Sequence, residues 1–318
     1  MPRDLVCKGS LGAVAVTLTR TDHERPGLVG VWDDHRLGTY DAYQTDGQPT
    51  LVQSVVLFLD LLGTSDPRSE AEARAHLEAT HEALEQARDW GDSDPSDETS
   101  VVRWFSDNLG MAYPVTAGLP AGDALTGLTR NAGAHQLALI GHEFIARGAI
   151  SLDLFYADEH LLYGPALNWA VALEKTRAIY PRVVLDETAT RVARTCLVDE
   201  YGSGADAPQR RDLAVDEQGV TFVHYLATGL AYNEEETPLS LEYLAKHQRF
   251  IATKLAEHDR APHVHDKYRW LAAYHDWYVE SLGETASESL LVRCARPLAA
   301  SFRPFGSDVP VPEAADPG

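Results

Sequence analysis

The sequence predicts an α+β fold: a sheet packed by helices on one face, extended by an α-helical addition at the C-terminal end. Three observations carry this. Residues 54–60, Ser-Val-Val-Leu-Phe-Leu-Asp, form a continuous apolar run closed by a carboxylate, the pattern of a buried central strand. Strand-like and helix-like stretches then alternate as β, α, ββ, α, β, α, β, α, ββ. After the polar stretch 233–238 the composition turns to two consecutive amphipathic helices.

In order, Gly63 breaks the first strand, and residues 68–90 place Ala73, Leu77, Leu84 and Ala87 on one helical stripe expected to face inward. Residues 91–99 read as an acidic, solvated loop. Val101–Phe105 and Leu109–Val115 flank Ser106-Asp107-Asn108, so a hairpin is predicted there. Residues 122–142 form a helix with Leu125, Leu128, His135 and Leu139 inward. Residues 143–156 alternate with period two, which predicts a strand. Residues 166–180 and 187–196 read as helices around a short strand at 182–186. Two strand-like runs, 212–215 and 220–226, surround the turn Asp216-Glu217-Gln218-Gly219. Residues 239–258 and 265–282 are the C-terminal helices, and the second carries Trp270, Leu271, Tyr274, Trp277 and Tyr278 on one packing face. The Pro-rich tail from about 300 is expected to fray. Residues 1–50 offer two short strand-like runs, 14–18 and 27–32. The chain therefore divides into a segment 1–50, a sheet domain 51–230, a helical extension 239–282 and a tail 283–318.

The chain has 318 residues, with 48 acidic against 27 basic side chains and a formal net charge of −21. Such a balance disfavours binding to duplex nucleic acid or an anionic membrane, because phosphate affinity needs clustered Lys and Arg. The three cysteines, Cys7, Cys196 and Cys294, are scattered without a CxxC, which argues against a disulfide scaffold or a zinc ribbon. No apolar run is long enough for a membrane span, and no signal pattern opens the sequence, so a cytoplasmic protein is expected.

Four features bear chemistry. Asp60 ends the buried strand and Asp107 sits at the hairpin tip. If the hairpin lies beside that strand, two carboxylates meet at one edge, and hard divalent cations are the natural filling. The alternative is that Asp60 caps a turn and Asp107 makes an Asx-turn. Gly164-Pro165 marks a strand-to-helix corner, after which Asn168, Ala172 and Lys175 share a helix face. This face either serves an anionic ligand or is simply solvated. Arg103, four residues before Asp107 at roughly 3.3 Å each, lies about 13 Å away, too far for a direct pair. His258, His263 and His265 read as one loop, an HxH pattern without acidic or Cys partners at ligand spacing.

Phe58-Leu59-Asp60-Leu61-Leu62-Gly63, Phe105-Ser106-Asp107-Asn108, Arg147-Gly148-Ala149-Ile150 and Tyr163-Gly164-Pro165-Ala166-Leu167-Asn168 follow one another in the order of the class III nucleotidyl cyclase catalytic domain. Over residues 51–226 the chain resembles that family, and in particular the bacterial Pycsar pyrimidine cyclases of antiphage defence. Lys267-Tyr268-Arg269-Trp270-Leu271 and Tyr274-His275 resemble the same subgroup.

The resemblance implies a ferredoxin-like palm and two Mg²⁺ or Mn²⁺ ions per site, held by Asp60, Asp107 and the carbonyl of Leu61. It implies attack of a ribose 3′-oxygen on the α-phosphorus with loss of pyrophosphate. Asn168 matches the asparagine that orients the ribose and comes from the partner protomer, so a homodimer with composite sites is implied. Phe58, Arg103 and Leu161 fall in the nucleotide pocket. Arg103 replaces a base-reading Lys or Glu of purine cyclases, and Leu161 replaces a base-reading Asp of adenylyl cyclases. A donor-only Arg suits the carbonyl acceptors of uracil, which favours UTP as substrate and cyclic UMP as product. The product would activate a separate effector protein. The family's transition-state arginine is replaced by Ala172, leaving Lys175 or Arg147 as candidate cations. A cytidylate or purine cyclase, or a catalytically inactive nucleotide-binding dimer, remains the alternative.

Overall fold

The computed structural model describes residues 40–62, 69–91, 100–231, 237–283 and 288–311. The runs 14–18 and 27–32, and nearly all of the loop 91–99, lie outside the described residues. Strand β3 (Val52–Leu62) is the centre of the fold, buried without interruption from Ser54 to Leu59. Its apolar residues on both faces require partners above and below as well as at both edges. It pairs antiparallel with β5 (Asn108–Pro114) on one side and with β6 (Ile145–Ala157) on the other. A two-residue turn, Ser106-Asp107, joins β4 (Val101–Phe105) to β5, with Ser106 at φ 58°, in the left-handed region such hairpins use.

Beyond β6 the sheet continues through β8 (Val183–Leu185), β10 (Thr221–Val223), β9 (Leu213–Asp216) and β11 (Phe302–Pro304). β6 and β8 run parallel. Their connection passes through β7 (Leu162–Tyr163), which pairs with the end of β6, and α3 (Pro165–Arg177). At the corner before α3, Gly164 has φ 139°, and a Cβ there would lie 2.6 Å from the Leu154 carbonyl oxygen. Only glycine fits that turn. A small hairpin, β1 (Gln44–Thr45) and β2 (Gln48–Pro49), turns at Asp46-Gly47.

The register separates two faces. Val55, Leu57 and Leu59 share one face with Tyr113, Met111 and Leu109 across the strand pair. Helix α2 (Ala121–Gly141) covers it: Asn131 Nδ2 donates to Tyr113 Oη at 2.5 Å, and His135 stacks on Trp104. Its expected inward residues Leu125, Leu128, His135 and Leu139 are all buried. α1 (Glu70–Gly91) and α4 (Glu187–Thr195) pack alongside α2. Asp186 caps α4, its carboxylate accepting from Ala189 N at 2.6 Å.

The opposite face carries Ser54, Val56, Phe58 and Asp60. The α+β class stands, but helices also reach this second face. Ser151, opposite Val56, donates its Oγ to the Ala166 carbonyl of α3 at 2.5 Å. Further along, α8 (Pro262–Ser281) lays Trp270 and Tyr274 against Phe222 of β10. Between α3 and α8 this side therefore forms a recess rather than an open surface. α5 (Pro208–Asp212), α6 (Tyr225–Ala231) and α7 (Thr237–Glu257) complete the helical surround.

Several local expectations change. In α1, Leu77 is 69% exposed, whereas Ala83 is fully buried. Alanines allow α1 and α2 to approach closely, and Gln86 ties the helix to Tyr243 at 2.9 Å. The strand expected over 220–226 stops at Val223, because Tyr225 begins α6. His263 and His265 lie in the first turn of α8, not in a loop, and no metal-binding group of three or more His, Cys, Asp or Glu occurs among the described residues. The tail does not fray at 302–305: Phe302–Pro304 pair with β9, and Phe305 is buried. The aromatic stripe of α8 does pack inward, with Trp270 and Tyr274 fully buried. Each removes roughly 150–250 Å² from water, an upper limit of about 4–6 kcal/mol at 25 cal/mol per Å². Trp270 stacks on Tyr180 at 5.4 Å. Both rings, with Phe222, surround the buried Arg182 guanidinium, which contacts Asp216 at 2.5 Å. Cys196 and Cys294 are free thiols, and burial pushes the Cys196 thiol up to about 12.

Candidate active site

The recess on the second face is built around the end of β3. Asp60 stands opposite Asn108 on one neighbour and Arg147 on the other. Leu61 N donates to the Asp107 carbonyl at 2.9 Å, so the hairpin turn folds back beside Asp60. Asn108 Nδ2 donates to Asp107 Oδ1 at 3.0 Å and orients that carboxylate. The two carboxylates thus meet at one sheet edge. Burial raises the Asp60 pKa, Arg147 opposes the rise, and the Asp107 charge adds to it.

Arg147 bridges this edge to a residue the sequence reading missed. Its Nε lies 3.4 Å from Asp60 Oδ2 and 2.6 Å from Glu174 Oε1. Glu174 is buried in α3, and burial raises its pKa against the pull of Arg147. Its signal was the spacing Ala166, Ala170, Glu174, Ala178: a carboxylate within an i, i+4 stripe of small buried residues. Lys267 of α8, also missed, is half-buried beside the same groups. Burial and Arg147 push its pKa down, while Asp60 and Glu174 hold it up.

One row further along the sheet, Arg103, Gly110, Phe58 and Ala149 lie side by side on four adjacent strands. Phe105 packs against Phe58, ring centres 6.4 Å apart, and separates Arg103 from Asp107. Arg103 Nη2 donates to the Asp158 carbonyl at 3.2 Å and to the Tyr40 hydroxyl, and the guanidinium lies 5.4 Å from the Tyr40 ring centre. Tyr43, fully buried, sits within hydrogen-bond distance of Ser54 at 3.3 Å on the same face. Residues 40–43 therefore help to build the recess. Leu161 is 49% exposed, whereas its neighbour Leu162 lies 2.8 Å from where a Cβ on Gly110 would stand. Leu162 is thus the leucine over the Arg103–Phe58 row.

Asn168, Ala172 and Lys175 occupy the solvent face of α3, turned away from the stripe that holds Glu174. Trp169 and Ile179, 59% and 57% exposed, flank them. Within one chain the fold gathers Asp60, Asp107 and Arg147, sets Phe58 and Arg103 beside them, and leaves Asn168 and Lys175 outside the recess.

The donor set fits hard divalent ions. Such ions need oxygen ligands, and Mg²⁺ in phosphate-transfer sites takes only one or two carboxylates, completing its shell with water and substrate oxygens. Asp60, Asp107 and backbone oxygens supply that kind of set. The sheet edge can thus hold cations beside an anionic ligand.

No protein-family model and no curated protein matches the chain. Among solved structures it is similar to the adenylyl cyclase CyaB from P. aeruginosa, at 11% identity and a TM-score of 0.39 over 55% of this chain and 94% of that one. It is similar to the guanylyl cyclase Cya2 at 12% identity and TM-score 0.38, over 54% of this chain and 91% of that one. A class III adenylyl cyclase-like ATP-binding protein from Pseudomonas aeruginosa shares 12% identity at TM-score 0.35, over 48% of this chain and 37% of that one. At these values the likeness concerns the arrangement of strands and helices and says nothing of the reaction. No described helix is long and apolar enough to cross a membrane.

Proposed function

We propose that this chain is a homodimeric, divalent-metal-dependent nucleotidyl cyclase that converts UTP to 3′,5′-cyclic UMP and pyrophosphate. The observation that carries the reading is the meeting of Asp60 and Asp107 at one sheet edge, beside the Arg147–Glu174 pair. Asp60 and Asp107, with the Leu61 carbonyl, hold Mg²⁺ or Mn²⁺. Bound there, the ions offset triphosphate charge and acidify the ribose 3′-hydroxyl. Arg147, anchored by Glu174, steadies Asp60. Phe58 and Leu162 offer apolar surface to the base. Arg103, fixed by Tyr40 and the Asp158 carbonyl through Nη2, makes no other hydrogen bond among the described residues. Its Nε and Nη1 protons are donors suited to uracil carbonyls. Asn168 of a second copy orients the ribose, and its Lys175 supplies the cation for the reacting phosphate. The exposed Trp169 and Ile179 suit a buried dimer contact. The cyclic product serves as a messenger for a separate effector in antiphage defence.

One observation favours a second reading, a nucleotide-binding dimer without turnover: Ala172 stands where the family places its arginine. Product analysis separates the two. The protein with Mn²⁺ is incubated with UTP, CTP, ATP and GTP in turn, and products are resolved by mass spectrometry. Cyclic UMP alone is the expected result, and Arg103→Ala should then erode the preference for UTP. Absence of any cyclic product from a folded dimer would replace the cyclase by the binding module.

A further inference from the structure

We infer that Lys267, brought by the C-terminal helix α8, is a phosphate-binding residue of the Asp60–Asp107 site. The inference rests on the nucleotidyl-transfer reading and deepens it.

The placement of α8 carries the argument. Trp270 is stacked on Tyr180 at 5.4 Å and lies 5.3 Å from the Arg182 guanidinium. Arg182 adjoins Arg147 across the sheet, since Gly148 N donates to the Arg182 carbonyl at 3.0 Å. Lys267 is one turn before Trp270 on the same helix face. The helix is anchored at Trp270 over Arg182, and one turn earlier Lys267 lies within electrostatic range of Arg147, Asp60 and Glu174.

The charges acting on one another there are the carboxylates Asp60, Asp107 and Glu174 and the cations Arg147 and Lys267, with Lys175 reaching Glu174 from the outer side of α3. Arg147 is engaged by Glu174 at 2.6 Å and by Asp60 at 3.4 Å. Lys267 forms no ion pair within 4 Å among the described residues, although it is half-buried beside two carboxylates. An ammonium that no carboxylate engages among the described residues, within the field of Asp60 and Glu174, is available to an incoming anion. Lysine serves phosphate as a compact point charge with three donors. In this recess the ligand is the β- or γ-phosphate of the nucleotide, or the pyrophosphate released from it. The helical extension is then part of the site.

The test uses the full chain and equilibrium binding. Calorimetry with Mg²⁺ present measures inorganic pyrophosphate, UTP and uridine on the wild type, Lys267→Gln and Lys267→Arg. Lys267→Gln should weaken pyrophosphate and UTP roughly tenfold or more, as expected for one charge-assisted contact. Uridine binding should be unchanged, and Lys267→Arg should restore most of the loss. In steady-state assays the Gln variant should show the change chiefly in KM. If Lys267→Gln does not fold, Lys267→Met preserves the packing of the aliphatic stem and gives the same reading. Equal pyrophosphate affinity in the wild type and a folded neutral variant would overturn the role of Lys267 alone. A folded wild type that binds neither UTP nor pyrophosphate would overturn this inference together with the cyclase.

Discussion

His224 makes the protein acid-labile in a way that can be isolated. It lies fully enclosed between β10 and α6, its Nδ1 2.7 Å from the Tyr274 hydroxyl and its ring against Tyr274, Trp277 and Tyr278. Burial lowers its pKa from 6.5 to about 3. The folded protein therefore keeps it neutral, while the unfolded chain takes up a proton below pH 6.5. A depressed histidine pKa costs stability as pH falls from 6.5 toward 3, by about 1.4 kcal/mol per pH unit. Between pH 7 and 5 the loss is about 2 kcal/mol, undiminished by solvent because the ring is buried. The raw stability curve is composite. His247 and His275 shift in the same direction, whereas the raised carboxyls of Asp60, Glu174 and Asp186 gain stability on acidification. Comparison with His224→Gln removes these shared contributions. Urea unfolding followed by tryptophan fluorescence at pH 7, 6 and 5 should show the variant losing about 2 kcal/mol less than the wild type over that range. Parallel curves for the two proteins would refute the reasoning, whatever stability the variant has at pH 7.

Asp60→Ala or Asp107→Ala should reduce cyclisation roughly a hundredfold or more, the scale of losing charge stabilisation at a reacting centre; near-normal rates in either would remove the metal assignment. Their circular dichroism and dimerisation should match the wild type, since Asp60 lies near the end of β3 and Asp107 in a hairpin turn. Mixing Asp107→Ala with Asn168→Ala protomers should restore one intact site per heterodimer, measured as recovered turnover after co-purification with two tags. Activity no higher than in the parent variants would exclude sites shared between copies. Gly148→Ala should cost about 1–3 kcal/mol in chemical denaturation. Its Cβ would press on the Phe58 carbonyl and lie 3.1 Å from the Leu59 Cα, backbone that cannot swing aside. A variant as stable as the wild type would mean that β3 and β6 part easily.

The parts of this fold that were legible in the sequence are those where one strong local signal acts alone. The apolar run before Asp60 could only be a buried strand. The Ser106-Asp107-Asn108 turn fixed the hairpin that brings the second carboxylate to it. Where signals were weak or divided, tertiary packing decided. α1 is rich in alanine, so its leucines marked no unique face, and close approach to α2 chose Ala83 over Leu77. Glu174 in a helix reads as solvated until the small residues at 166, 170 and 178 are seen to carry it inward. Lys267 stood out only within a stretch that resembles the cyclase subgroup and carried no role there, because its position follows from Trp270 docking against a strand far away in sequence. The tail strand is three residues long and ends in proline, which conceals it from any periodicity.

That short strand has a consequence for handling the protein. β11 hydrogen-bonds along β9, covering an edge that would otherwise present bare amide and carbonyl groups. Its exposed residues are Arg303 and Pro304, a charge and a residue without an N–H, both poor templates for another strand. A chain ended before Phe302 would uncover β9 and the adjoining aromatic layer, and should precipitate or form strand-paired aggregates at concentrations where the full chain stays in solution.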